Sequence, residues 1–177
     1  TDNVSHLRPA VFTADSLPNV SAMSIKAPPP LSIDTTSIIG YAASVKRHVV
    51  VEDAYHLPPD AEFSSNLDFE RQFGYYVKSL LAVPMVDHTD RLIGILAFVN
   101  RKRNRAARVR DKESADRYVV GYTRHEIRLG RALAGVAAAS IENSLLYARI
   151  EQILESLVKA AVTAIDQRDP STAGHSI

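Results

Sequence analysis

The feature that most constrains this chain is a repeat of seven. Leu129, Val136, Asn143, Ile150, Leu157 and Ala164 recur at that interval, and Ala132, Ala139, Leu146, Ile153 and Ala160 follow the first five by three. An a/d seam kept over five heptads predicts a helix from Thr123 to about Gln167 that pairs along a coiled coil. Two coverings are open for its first half, since Leu129 to Leu146 can also lie on a sheet of the same domain. Beyond Tyr147 no local core remains for Ile150, Ile153, Leu154 and Leu157, so a second copy is expected to cover them. Asn143 at an a-type position costs stability and favours one register. The expectation is a homodimer through the 129–165 helix.

Upstream the period changes from helical to that of strands. Lys78 to Val86 and Leu92 to Val99 are apolar runs joined by the short polar stretch Asp87-His88-Thr89-Asp90-Arg91, which predicts a hairpin. Runs this apolar imply cover on both faces. Pro84 is expected at a bulge or where the ladder ends. His48 to Asp53 reads as a further strand, and His6 to Phe12 as an edge strand because of Pro9. Asp34-Thr35-Thr36-Ser37 offers N-caps for a short helix from Ile38 to Val45. Asn66 to Phe73 reads as another short helix. Pro28-Pro29-Pro30 and Pro58-Pro59 break the chain between these elements.

Several functions are excluded by what the chain lacks. It has 177 residues and no cysteine, which removes disulfides, thiolate nucleophiles and zinc–thiolate sites together. A net charge of +1 gives no general pull toward nucleic acid or anionic lipid, and no stretch reaches the ~20 apolar residues of a spanning helix. A cytoplasmic protein is expected. The basic run from Arg101 to Arg117 holds no aromatics for base stacking, so it reads as a solvated loop. The six histidines show no HExxH or i,i+4 spacing.

Five words in chain order resemble a GAF domain, a small-molecule sensor fold. They are Ser37-Ile38-Ile39-Gly40-Tyr41-Ala42, Val49-Val50-Val51-Glu52-Asp53, Gly74 to Met85, Leu92 to Arg101, and Leu133 to Asn143. The resemblance implies an α+β fold: a GAF-like central antiparallel sheet with flanking helices and a long C-terminal signalling helix. It implies a sensor domain over 1–147, with its opening elements missing, and a linker helix over 148–167. Its ligand pocket is expected between the sheet and the helices of the 53–78 region. The residues carried over are Ser65, Asn66, Asp68, Tyr75 and Lys78, which would orient a planar, partly polar molecule; the bland alternative is helix capping and a solvated lysine. Cyclic-nucleotide GAF domains carry an Asn-Lys, Phe, Asp-Glu signature. Here Asn100-Arg101 resembles its first part, while Tyr122 and Glu126-Ile127 stand in for the rest, so cyclic-nucleotide binding is not supported. GAF-type methionine sulfoxide reductases depend on cysteine, which this chain lacks.

The last residues carry a second resemblance. Asp166-Gln167-Arg168-Asp169-Pro170-Ser171-Thr172-Ala173-Gly174-His175-Ser176 is similar to the opening of HD-GYP domains, metal-dependent cyclic-di-GMP phosphodiesterases. In that family the run contributes the first histidine of a metal cluster. His175 would bind metal only in a full-length protein, with divalent metal ions expected in the missing HD-GYP domain and no cofactor in this fragment. No catalytic residue is expected here. The expected function is a small-molecule-sensing and dimerisation module controlling an HD-GYP phosphodiesterase. The alternative is a ligand-free GAF-fold dimerisation scaffold.

Overall fold

The two apolar runs do form adjacent antiparallel strands of one sheet. The computed structural model describes residues 6–7, 30–65 and 75–168. Strand β1 (His6–Leu7) pairs antiparallel with β2 (Leu31–Ser32). Strands β3 (Val49–Val51), β4 (Leu80–Val86) and β5 (Leu92–Val99) form an antiparallel sheet in the order β3-β4-β5. Among the described residues, three helices accompany them: α1 (Ile38–Val45), α2 (Lys112–Tyr118) and α3 (Arg124–Arg168). This is the expected α+β arrangement of an antiparallel sheet with flanking helices and a long last helix. The helix expected over Asn66 to Phe73 lies outside the described residues, as do Asn66, Asp68, Pro9 and His175.

Alternation along β4 builds two cores from one strand, because successive side chains point to opposite faces. Leu80 and Ala82 pack with Ile38 and Ala42 of α1, and with Val51 and Ala54. Leu81 and Val83 pack on the other face with Ala134 of α3, joined by Phe98, Tyr122 and Ile127. Cover on both faces is why this strand carries no polar residue. Pro84 opposes Ile95, beyond the last β3 partner at Ala82. There β4 has a neighbour on one side only, a place that tolerates a residue without an N–H. The bulge falls between Met85 and Val86.

The caps follow from local side-chain chemistry. Ser37 has extended backbone, and its hydroxyl accepts from the Gly40 N–H at 2.9 Å, ending the turn region and starting α1. At the hairpin, the Asp87 carboxylate accepts from Thr89 N at 2.9 Å, Thr89 Oγ1 at 2.7 Å and Arg91 N at 2.9 Å. Its side chain is only 1% exposed. The Thr89 hydroxyl leads the hydrogen bonds that hold this carboxyl far below the usual carboxylate range, against its burial.

The chain divides into two compact units between Ala138 and Ala139. In the first, α3 meets the sheet through Ile127 and Ala134, and Gly130 lies close enough that an added Cβ would sit 3.1 Å from Leu81 Cδ2. The heptad seam is not that face. Leu129 and Val136 are 52% and 70% exposed, so the sheet of the same domain does not cover them. In the second unit, Leu146, Ile150, Ile153 and Leu157 are also exposed. Among the described residues, no seam position of either unit is buried.

Candidate functional site

The segment entering β4 gathers most of the polar chemistry. Tyr75 is buried, and the Tyr76 ring stacks on Tyr55 with centroids 4.2 Å apart. The Lys78 carbonyl accepts from Ala54 N at 2.8 Å, tying this segment to the turn after β3. In that turn Asp53 and His56 approach to 3.0 Å. Burial pushes the Asp53 carboxyl up, but hydrogen bonds from His56 and the Tyr55 N–H, with the charge of Lys78, hold it below its ordinary value. The Lys78 side chain is 18% exposed, and its amine reaches Asp116 of α2 at 2.5 Å.

Of the expected ligand residues, the structure therefore brings Tyr75 and Lys78 into one short segment between the Asp53–His56 turn and α2. Ser65 is half-buried at the end of a described stretch. The Lys78 amine, expected to face a ligand, is engaged by Asp116. That partner was not legible upstream, since the two are 38 residues apart and α2 looked like part of a basic loop.

Beside this segment lies a hub centred on Asn100, the first residue of the altered signature. Asn100 is 4% exposed. Its Oδ1 accepts from the N–H groups of Lys78 at 2.8 Å and Ser79 at 3.3 Å, and its Nδ2 donates to the Tyr76 carbonyl at 2.5 Å. Its own N–H donates to the Ser79 carbonyl at 2.7 Å. Asn100 thus replaces a missing strand neighbour for three backbone groups. Ser79, fully buried, accepts from Arg101 N through its hydroxyl at 3.1 Å. It also hydrogen-bonds the Tyr122 phenol; burial pushes that phenol well above its usual value, and the Ser79 contact pulls the other way.

Arg101 connects the hub to α3. Its Nε donates to Glu126 at 2.6 Å and an Nη to the Gly121 carbonyl at 3.1 Å. Glu126 in turn accepts from Thr123 N at 2.8 Å and Thr123 Oγ1 at 2.6 Å, while Glu126 N meets Thr123 Oγ1 at 3.3 Å. This is a reciprocal cap at the start of the long helix. The altered signature Asn100-Arg101, Tyr122, Glu126 therefore comes together in space as a brace between sheet and helix.

The Arg101 hydrogen bond, helped by Thr123 and opposed by partial burial, holds the Glu126 carboxyl at about 2 against a usual 4.5. A depressed folded value means that Glu126 stabilises fully above pH 4.5 and loses this contribution as pH falls toward about 2. Glu126→Gln should therefore lower the melting temperature at neutral pH, with the gap to wild type closing between those two limits. Thermal melts on both proteins across that range test it; a constant gap would place the effect outside the carboxylate.

The basic run is a braced turn. Lys102 Nζ donates to the carbonyls of Arg105 at 3.2 Å and Ala107 at 3.0 Å, and Val109 is buried with Ala115 and Val119. Arg103, Arg105, Arg108 and Arg110 are exposed. Among the described residues, no group of three or more His, Asp or Glu is placed to hold a metal ion. No described helix is long and apolar enough to cross a membrane.

No curated protein matches the chain. Among solved structures it is similar to the GAF domain of a phosphoenolpyruvate-protein phosphotransferase from Coxiella burnetii, at 16% identity and a TM-score of 0.47. That alignment covers 68% of this chain and 57% of the other, so the chain spans little more than half of that solved chain's length. The GAF domain family model matches residues 5–141, the stretch that holds both sheets, the Asn100 hub and the start of α3. The protein belongs to the GAF domain family.

Proposed function

We propose that this GAF unit senses a small planar, partly polar molecule at the segment before β4, and that paired α3 helices carry the response to an HD-GYP phosphodiesterase domain. The observation that carries the reading is the linkage around Asn100 and Arg101. Tyr75, Tyr76 and Lys78 lie in the segment entering β4, whose backbone is held by Asn100, and the next residue, Arg101, grips the first turn of α3 through Glu126. A ligand that shifts Tyr75–Lys78 acts on the helix through a few short hydrogen bonds. Such coupling requires a ligand that binds two states of the unit with different affinity. The output assignment draws on the similarity of Asp166 to Ser176 to an HD-GYP opening, in which His175 would be a metal ligand. Ser65, Asn66 and Asp68 complete the proposed ligand edge, and the protein is read as cytoplasmic.

A thermal-shift screen with planar heteroaromatic metabolites tests the sensing step. A hit should bind Lys78→Met at least tenfold more weakly by calorimetry, with Asp116→Asn as the control for loss of the ion pair alone. Equal affinity for wild type and Lys78→Met would remove Lys78 from the site. The second reading, a ligand-free dimerisation scaffold, is favoured by one observation: Asp116 already engages the Lys78 amine. No shift from any compound would support it.

A further inference from the structure

We infer that two copies of this chain pair through α3 in parallel and in register, set by mutual hydrogen bonding of their Asn143 side chains. The inference rests on the paired-helix reading above and specifies its geometry. Asn143 is the single polar residue among the eleven seam positions from Leu129 to Ala164. Its side chain is exposed, and no described residue bonds it. Around it, Leu146, Ile150, Ile153 and Leu157 are 57%, 44%, 52% and 61% exposed. Covering those residues with any partner also removes the Asn143 amide from water.

An amide buried against hydrocarbon loses its hydrogen bonds, and that penalty selects the arrangement. Parallel pairing in register sets Asn143 against Asn143 of the second copy, and each amide has both a donor and an acceptor. A slip of one heptad would set it against Val136 or Ile150. Antiparallel pairing of a-type with d-type positions over the same seam would set it against Leu146. Only the parallel, in-register arrangement satisfies it. In parallel pairing the e positions Leu133, Ser140, Tyr147, Leu154 and Ala161 offer no charge to the g-type Glu142 and Arg149. Antiparallel pairing would set Glu142 against Arg149 of the second copy, a rim ion pair worth less than the hydrogen bonds a buried amide loses. A heterologous partner would need an amide or hydroxyl at the same height, whereas a second copy supplies it by symmetry. Parallel pairing also brings residue 168 of both copies to the same end, as a paired output would require.

The absence of cysteine makes the test clean. Single variants Ile153→Cys and Ala160→Cys of the whole chain place a thiol at d-type positions, and Lys159→Cys places one outside the seam. Under mild oxidation the first two should become mostly covalent dimers, with Lys159→Cys reacting at least tenfold more slowly. Mixing the Ile153→Cys and Ala160→Cys proteins should give no cross-disulfide unless Asn143→Leu is also present, which frees the one-heptad slip. Failure of Ala160→Cys to cross-link in a protein that sediments as a dimer overturns the parallel geometry and leaves pairing intact. Absence of a register change with Asn143→Leu overturns the role of the amide. A chain that sediments as a monomer removes the pairing itself.

Discussion

Gly40→Ala is expected to lower the stability of the GAF unit by about 3 kcal/mol, or roughly 10 °C in melting temperature. Gly40 lies within α1, where alanine would ordinarily help by about 1 kcal/mol. Here the sign is reversed by what the methyl group would meet. A Cβ on Gly40 would collide with the Ser32 carbonyl oxygen of β2, and would lie 2.9 Å from Ser37 Oγ and 3.0 Å from the Asp34 carbonyl. Two of those three atoms are backbone and cannot rotate away. The third is the cap that starts the helix, so relieving the clash by turning Ser37 also loses the cap. Relief therefore requires α1 to move off β2, which also loosens Ile38 and Ala42 from β4. Chemical unfolding checks the value, and a change within 0.5 kcal/mol would show that α1 and β2 do not sit this close.

The second large effect is expected at Asn100. Asn100→Ala should cost about 4 kcal/mol, because one buried and two part-buried backbone groups lose their partner at once and each such loss costs about 1–3 kcal/mol. The same residue has a φ of 56°, a region that Asn tolerates far better than Ala. Asn100→Gly separates the two contributions: it removes the side-chain bonds while easing the backbone. It should recover about 1 kcal/mol relative to the alanine variant. Equal losses in both variants would mean that the backbone conformation contributes nothing. A loss below 1 kcal/mol in Asn100→Ala would mean that solvent replaces the amide at Lys78, Ser79 and Tyr76, contrary to its burial.

These two positions also show what a linear reading captures and what it misses. Ser37 was legible as a cap because capping is a contact over three residues, and the hairpin from Leu80 to Val99 because its two runs and their connection are local. Helix α3 was legible from period alone. That the seam stays off the sheet was not, since Leu129 and Gly130 are neighbours on the helix and only packing shows that Gly130 and Ala134 face Leu81. The β1–β2 pair joins residues 24 or more apart with two residues per strand, too short to leave a periodic trace. Asn100-Arg101 stood out as a motif, yet its bonds to Tyr76, Lys78, Ser79 and Glu126 span 21 to 25 residues. Ser79 was passed over because nothing in an apolar run marks one serine as a buried hub. Its position between Lys78 and a fully apolar strand was the available signal.

The Glu126 and Asn100 effects concern the brace, the Gly40 effect concerns the seat of α1 on β2, and the cysteine series concerns the pairing. The central claim joins them: a ligand-holding GAF unit whose α3 seam is covered by a second copy. Native mass spectrometry of freshly purified protein tests it most directly. The expected species is an assembly of two 19.4 kDa chains carrying an additional small-molecule mass that collisional activation removes. A bare 19.4 kDa monomer at micromolar concentration would contradict it.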